Sequence, residues 1–214
     1  KIFTTKLGEL TVHCTDFQIL TKTLRSIPSQ WQGFKDPEER FRKRYLALLL
    51  NSEVRQLFDL RVRTMKTLRH FMDDHGFTEV ETPTLHPIYG GASARPFTTH
   101  YQAYETDVFL KIAPELYLKR LLVGGYEKVY EMSRNFRNEG ADSTHNPEFM
   151  ELEFYAAYWD EEQLMTFTED LIIETLEKVR GKAEIEVAGQ IIPVHRPFDR
   201  LTFAELTGGT MADD

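Results

Sequence analysis

The sequence predicts an α+β fold in which an antiparallel sheet is flanked by helices. Residues 148–156 alternate as a half-buried strand does, with Met150, Leu152, Phe154 and Ala156 on one face and Phe149, Glu151, Glu153 and Tyr155 on the other. Residues 138–147, rich in Gly, Asp, Ser, Asn and Pro, read as a loop that returns the chain antiparallel to itself. Asp36 and Asp160 each open a segment with a helix-start signal followed by an apolar stripe of helical period.

In chain order, residues 2–5 and 10–15 flank a turn supplied by Gly8 and read as a hairpin, which is too small to be stable alone. Residues 18–34 have no clear period, and Pro28, Ser29 and Gly33 mark their second half as a linker. A helix follows, with Asp36 as N-cap, Pro37 at the first helical position, Glu39 at the third, and a stripe of Phe41, Tyr45, Leu48 and Leu49. Ser52 starts a second helix with the stripe Leu57, Phe58, Val62, Met65, Leu68 and Met72, stopped at Gly76. The next segment, GFTEVETPTL, is extended; Pro83 restricts Thr82 to β-like conformations and cannot donate to a ladder. In the loop YGGASAR, Gly90 and Gly91 allow backbone to approach a ligand, or simply a turn. Strands are expected over 97–104 and 108–113. Pro114 then opens the helix PELYLKRLLVGG, closed by Gly124 and Gly125. Glu115 lies in its first turn, where the helix dipole favours a carboxylate whether or not it binds anything.

Beyond the central hairpin, Asp160 and Gln163 form a capping box for a helix with the stripe Leu164, Phe167, Leu171, Leu176 and Val179. Residues 183–188 and 191–194 make a hairpin around Gly189, and Thr202 with Glu205 opens a last helix.

The chain of 214 residues suits one ordinary core plus part of a second unit. Its 41% hydrophobic and 28% charged residues match a soluble globular protein, and no apolar run approaches the roughly 18 residues of a membrane helix. The lone Cys14 excludes an internal disulfide framework and fits a reducing compartment. A net charge of −8 argues against a surface that grips nucleic acid everywhere, while the cluster Arg40, Arg42, Lys43 and Arg44 is either a solvated helix face or a local phosphate contact.

Arg137 leaves the first arm of the central hairpin just before the loop, and its guanidinium can hold two oxygens of a phosphate or carboxylate with fixed geometry. The segments RNFRNEG and THNPEF that bracket the loop resemble motif 2 of the class II aminoacyl-tRNA synthetases, in wording similar to the lysyl-tRNA synthetases. The long helix and proline-closed strand resemble motif 1, which builds the dimer interface in that family, so the resemblance implies a homodimer. It assigns residues 1–27 to the end of an OB-fold anticodon-binding β-barrel, 28–35 to a linker and 36–214 to a catalytic domain incomplete at its C-terminus.

The resemblance also implies the chemistry. Such enzymes join L-lysine to the α-phosphate of ATP, release pyrophosphate, and pass lysine to the 3′ end of tRNA(Lys) in the cytoplasm. The attacking group is a carboxylate already ionised at neutral pH, so the site needs alignment and charge neutralisation rather than a general base. By resemblance Arg137 bridges the lysine carboxylate and the α-phosphate as the catalytic residue, Glu139 accepts from the adenine amino group, Phe149 stacks on the ring, and His145 and Asn146 lie near the phosphates and ribose. Gly91 contacts lysine through its backbone, Glu115 takes the α-ammonium, and Glu153 with Tyr155 takes the ε-ammonium. Thr144 stands where many bacterial members carry arginine, and no glycine-rich motif 3 ending in arginine occurs, so the Mg2+ ligands are expected outside these residues. Two other readings stay open: a ligase that attaches lysine to a protein acceptor, which the OB-like start argues against, and a non-catalytic paralogue.

Overall fold

The computed structural model describes residues 1–25, 27 and 36–207; the linker expected at 28–35 lies outside the described residues. The chain divides into two compact units, Lys1–Asp59 and Leu60–Asp214.

In the first unit, β1 (Ile2–Thr4) pairs antiparallel with β2 (Leu10–Val12), and Gly8 turns the chain at φ +86°. No closed barrel forms among the described residues. The Asp36 side chain caps α1 (Pro37–Arg42) by accepting from the Glu38 backbone N–H. The single helix expected from Asp36 is broken: Lys43 leaves helical geometry at φ −107°, ψ 52°, and α2 (Arg44–Leu50) begins after it. Asn51 accepts from the N–H groups of Glu53 and Val54 and so caps α3 (Ser52–Asp74). The expected stripe is also corrected. Ala47 is the buried residue of α2, while Phe41, Tyr45 and Leu49 are exposed, with Arg44 stacked over the rings of Phe41 and Phe58. Periodicity reveals an apolar face but not what covers it.

The second unit is built on the end of α3, from which Phe71 and Met72 enter the core, and on two small sheets. Gly76, at φ +78°, ends the helical run and lets the chain enter β3 (Thr78–Glu79). Next come β4 (Leu85–His86), β5 (Thr98–Tyr101) and β6 (Thr106–Leu110), which form one antiparallel sheet in the order β4-β6-β5. The expected strand over 97–104 is shorter because residues 102–104 tighten into a 3-10 turn, closed by Glu105 in the left-handed region at φ 49°. The helix α4 (Glu115–Val123) then leads through Gly124 and Gly125 to β7 (Lys128–Phe136) and β8 (Glu148–Ala156).

β7 and β8 pair antiparallel along their full lengths, from Lys128 opposite Ala156 to Phe136 opposite Glu148. β3 joins the other edge of β7 in parallel, with Thr78 opposite Val129, so the sheet is mixed rather than purely antiparallel. The long excursion through β4, β5, β6 and α4 supplies the crossover that a parallel pair requires. Lys111 joins the two sheets: its N–H donates to Thr84 and its carbonyl accepts from the Phe136 N–H.

The core lies between the even-numbered face of the β7–β8 hairpin, α3 and α5 (Glu161–Arg180). Tyr130, Met132, Leu152, Phe154 and Ala156 meet Phe71, Met72, Phe77, Phe167 and Leu171 there. Phe167 sits within 5.4 Å, centroid to centroid, of the rings of Phe71, His75, Phe77, Phe154 and Trp159. The Tyr130 hydroxyl donates to Asp73 and Glu79, and burial together with these carboxylates pushes its pKa up. Asp160 and Gln163 form the expected capping box of α5, although Leu164 of the expected stripe is exposed. After α5, β9 (Glu184–Val187) and β10 (Gln190–Pro193) form a hairpin turned by Ala188 and Gly189, both at positive φ. Thr202 and Glu205 cap α6 (Phe203–Leu206) as expected.

Candidate active site

The odd-numbered face of the β7–β8 hairpin is largely polar between Val129 and Phe149. In register, Asn135 faces Phe149, Ser133 faces Glu151, and Glu131 faces Glu153. Glu131, Ser133 and Asn135 are buried, and each finds a partner: the Asn135 amide donates to Glu151, Ser133 donates to Asn135 at 3.2 Å, and Glu131 accepts from Lys111 and Thr82. Phe149 and Glu153 are four residue steps apart, about 13 Å along the strand. The face therefore has two ends.

At the loop end, the Arg137 N–H donates to the Pro147 carbonyl at 2.9 Å, and the Asn138 N–H donates to the Arg95 carbonyl at 2.7 Å. The Arg95 N–H in turn donates to Glu139 at 3.1 Å, which ties the YGGASAR loop to the hairpin. The Arg137 guanidinium lies 4.9 Å from the centre of the Phe149 ring, and its buried Nε has no hydrogen-bond partner. A buried donor left unsatisfied is costly, so it marks a place for an acceptor. Arg137, Glu139, Gly140, Thr144, His145, Asn146 and Phe149 line an open pocket of about 350 Å3. Every residue expected at the nucleotide is thus in one pocket.

Asp142, not singled out from the sequence, organises this loop. Its carboxylate accepts from the N–H groups of Thr144 and His145, from the Thr144 hydroxyl and from His145 Nδ1. These bonds, led by the Thr144 N–H, hold its pKa well below the usual carboxylate range. The spacing D-x-T-H is the readable signal, since Asp accepts from backbone two and three residues on.

At the other end, the Tyr155 hydroxyl donates to Glu153 at 2.8 Å. Burial raises the Glu153 pKa against the effect of that bond, with Glu151, Glu115 and Glu131 adding repulsion. Burial and the Glu153 bond push the Tyr155 hydroxyl up. Gly91, at φ +89°, brings its backbone against Glu115 and Ala113. Glu115 accepts from Lys119 at 2.6 Å, and Lys119 Nζ lies 5.8 Å from the Tyr155 ring. Gly91, Glu115, Glu153 and Tyr155 are thus gathered, with Arg137 at the opposite end of the same face. Lys119 was missed, although its i,i+4 spacing from Glu115 was legible. Lys111 and Glu131 were also missed; they stand 20 residues apart and give no local signal.

The arrangement presents a guanidinium and an aromatic ring at one end and a carboxylate–hydroxyl pair at the other, on one rigid hairpin. It can hold an anion beside a flat ring and a cation some distance away. Among the described residues no group of three or more His, Cys, Asp or Glu side chains is arranged to hold a metal ion, and no helix is long and apolar enough to cross a membrane.

The model of the family "tRNA synthetases class II (D, K and N)" matches residues 36–210. The chain belongs to the class II tRNA synthetases. Among class II synthetases it is 55% identical over 200 residues to the lysine–tRNA ligase of Carboxydothermus hydrogenoformans, covering 94% of this chain and 41% of that protein. The lysine–tRNA ligase of Clostridium botulinum strain Langeland is 50% identical over 204 residues, which cover 95% of this chain and 40% of that protein. That of Aquifex aeolicus is 49% identical over 206 residues, or 96% and 34%. The chain spans about two fifths of the length of these curated relatives. The class II assignment accords with the α+β architecture.

Proposed function

We propose that this chain is the ATP- and lysine-binding part of a lysine–tRNA ligase, working in the cytoplasm as a homodimer through its motif 1 region. The observation that carries the reading is the polarity of the hairpin face: an arginine with an orphaned donor and an aromatic ring at the loop end, a carboxylate bonded to a hydroxyl but to no cation at the other. The names of the relatives, lysine–tRNA ligases at about half identity, support it. Residues 1–27 would belong to the anticodon-binding domain and 36–214 to the catalytic domain.

In the first step, a lysine carboxylate oxygen attacks the α-phosphorus of ATP, a new acyl–oxygen–phosphorus bond forms, and the bond to the β-phosphate breaks to release pyrophosphate. No proton has to be removed from the nucleophile. Arg137 lies across the two reacting anions, and its fork becomes more favourable as charge moves onto the phosphate oxygens. Phe149 offers a ring face to adenine, Glu139 accepts from its amino group, and His145 and Asn146 line the phosphate and ribose side of the pocket. Glu115 and the Gly91 backbone orient the α-amino end, while Glu153 and Tyr155 hold the ε-ammonium. An uncharged amino acid would leave Glu153 without a counter-ion, at a cost of about 2–5 kcal/mol. In the second step a terminal hydroxyl of tRNA(Lys) takes the lysyl group and AMP leaves. Mg2+ would accompany ATP and neutralise its phosphates; the described residues offer it no cluster, and no step here is assigned to it.

The test is amino-acid-dependent exchange of pyrophosphate into ATP by the protein that carries this chain. Exchange with lysine alone, lost in Arg137→Ala, is the expected result. Exchange with another amino acid overturns the roles of Glu153 and Tyr155; exchange with none favours a non-catalytic paralogue.

A further inference from the structure

Lys111 and Glu131 form an ion pair whose side chains are only 3% and 6% exposed. Lys111 Nζ donates to one Glu131 oxygen at 2.5 Å and to the Thr82 hydroxyl at 3.2 Å, and that hydroxyl donates to the other Glu131 oxygen at 2.7 Å. Glu131 stands directly opposite Glu153 in the β7–β8 register. Opposed residues on one face of an antiparallel pair have Cβ atoms about 5 Å apart, and Glu131 adds to the repulsion felt by Glu153.

The groups that face Glu153 are Glu151 and Tyr155 from β8, Glu131 from β7, and Glu115 from α4, with Lys119 beside Glu115 and Lys111 beside Glu131. Each of the other carboxylates has a charged or amide donor: Lys119 for Glu115, Lys111 for Glu131, Asn135 for Glu151. Glu153 has the neutral Tyr155 hydroxyl. Two carboxylates of the face, Glu151 and Glu153, thus lack a cation; Glu151 is engaged by the Asn135 amide, and Glu153 has only a hydroxyl.

We propose that Lys111 is a positioning residue for the amino-acid site: by matching the charge of Glu131, it leaves the opposed Glu153 carboxylate free to pair with the substrate's ε-ammonium. This rests on the lysine reading above. Without Lys111, two opposed carboxylates would share a proton, as close carboxylate pairs do. Binding an ammonium would then require expelling that proton. Lysine binding would acquire a steeper pH dependence than the parent protein shows.

The experiment measures KM for lysine between about pH 6 and about pH 8, by pyrophosphate exchange, in the protein that carries this chain and in its variants. In Lys111→Met, KM should rise about tenfold for each pH unit lowered, more steeply than in the parent and in Lys111→Arg. Lys111→Met combined with Glu131→Gln removes both charges and should return the parent pH profile. A Lys111→Met profile parallel to the parent's, or a double variant that keeps the shift, overturns the proposal. Should Lys111→Met not fold, Glu131→Gln decides: the unmatched Lys111 ammonium competes with the substrate, so KM for lysine rises at least about tenfold with kcat nearly constant, and an unchanged KM overturns the proposal. Absence of lysine-dependent exchange in the parent overturns the underlying reading instead, before any variant is made.

Discussion

A Cβ added to Gly91 would stand 2.9 Å from the Cβ of Glu115, closer than packed side chains approach. The YGGASAR loop is thus seated against the first turn of α4, and Gly91 adopts φ +89° to get there. Gly91→Ala is expected to destabilise the protein by about 1–3 kcal/mol, because the new methyl is strained in φ and presses on Glu115 and Ala113. Displacing Glu115 should also raise KM for lysine by roughly tenfold or more. Thermal denaturation and lysine titration of pyrophosphate exchange check both; an unchanged KM would remove Glu115 from the site.

Arg137 stacks on Phe149 while its Nε stays unsatisfied. Lysine keeps the charge but has neither the planar fork nor the stacking surface. Arg137→Lys should therefore lower kcat for pyrophosphate exchange roughly a hundredfold or more. Single-turnover adenylate formation is the direct readout.

Burial raises the Glu153 pKa, and the two consequences of that shift have opposite signs. An acid whose pKa is higher when folded favours the folded state at low pH, and this contribution is lost as pH rises through the raised value. Ammonium binding needs the ionised form, so lysine affinity should fall as pH drops through the same value. Glu153→Gln should therefore be as stable as the parent or more so at neutral pH, yet bind lysine roughly thirtyfold or more weakly. Melting temperature and lysine affinity, each measured against pH, separate the two effects.

Asp142 holds the loop through its bonds to Thr144 and His145. Asp142→Ala should release His145 and raise KM for ATP roughly threefold to tenfold, with KM for lysine unchanged because the amino-acid end lies on the far part of the hairpin. Equal changes in both constants would contradict the separation of the two ends.

Phe167 is the hub of the aromatic core, touching rings from α3, β8 and the segments that follow both. Phe167→Ala is expected to cost about 3–5 kcal/mol, measured by urea unfolding, and to leave no well-folded protein if the parent's margin is small.

Local signals read well and distant ones did not. The bounds of β8, its two faces, the capping boxes at Asp160 and Thr202, and the turn at Gly189 were all legible, because each depends on residues a few positions apart. The grouping of Arg137, Glu139, His145, Asn146 and Phe149 around one pocket was legible for the same reason, since its lining comes from one short stretch of chain, 137–149. The break at Lys43 has no glycine or proline to announce it, and the exposure of Phe41, Tyr45 and Leu49 depends on what packs against them rather than on their spacing. The parallel pairing of β3 with β7 and the Lys111–Glu131 pair join residues far apart in sequence, where no local pattern reaches.

On β7 and β8, the even-numbered side chains Tyr130, Met132, Leu152, Phe154 and Ala156 build the interior, and the odd-numbered ones from Glu131 to Asn135 and from Phe149 to Tyr155 build the opposite, largely polar face. The two sets are interleaved in the chain yet insulated from each other by the backbone between them. Selection can therefore retune which small molecule is accepted by altering alternate positions, while the hydrophobic half of the same strands stays untouched. Inserting or deleting a single residue within either strand would instead swap the two sets beyond that point and undo both at once. Changes of length are best tolerated in the connecting loop, and changes of substrate within strands of fixed length.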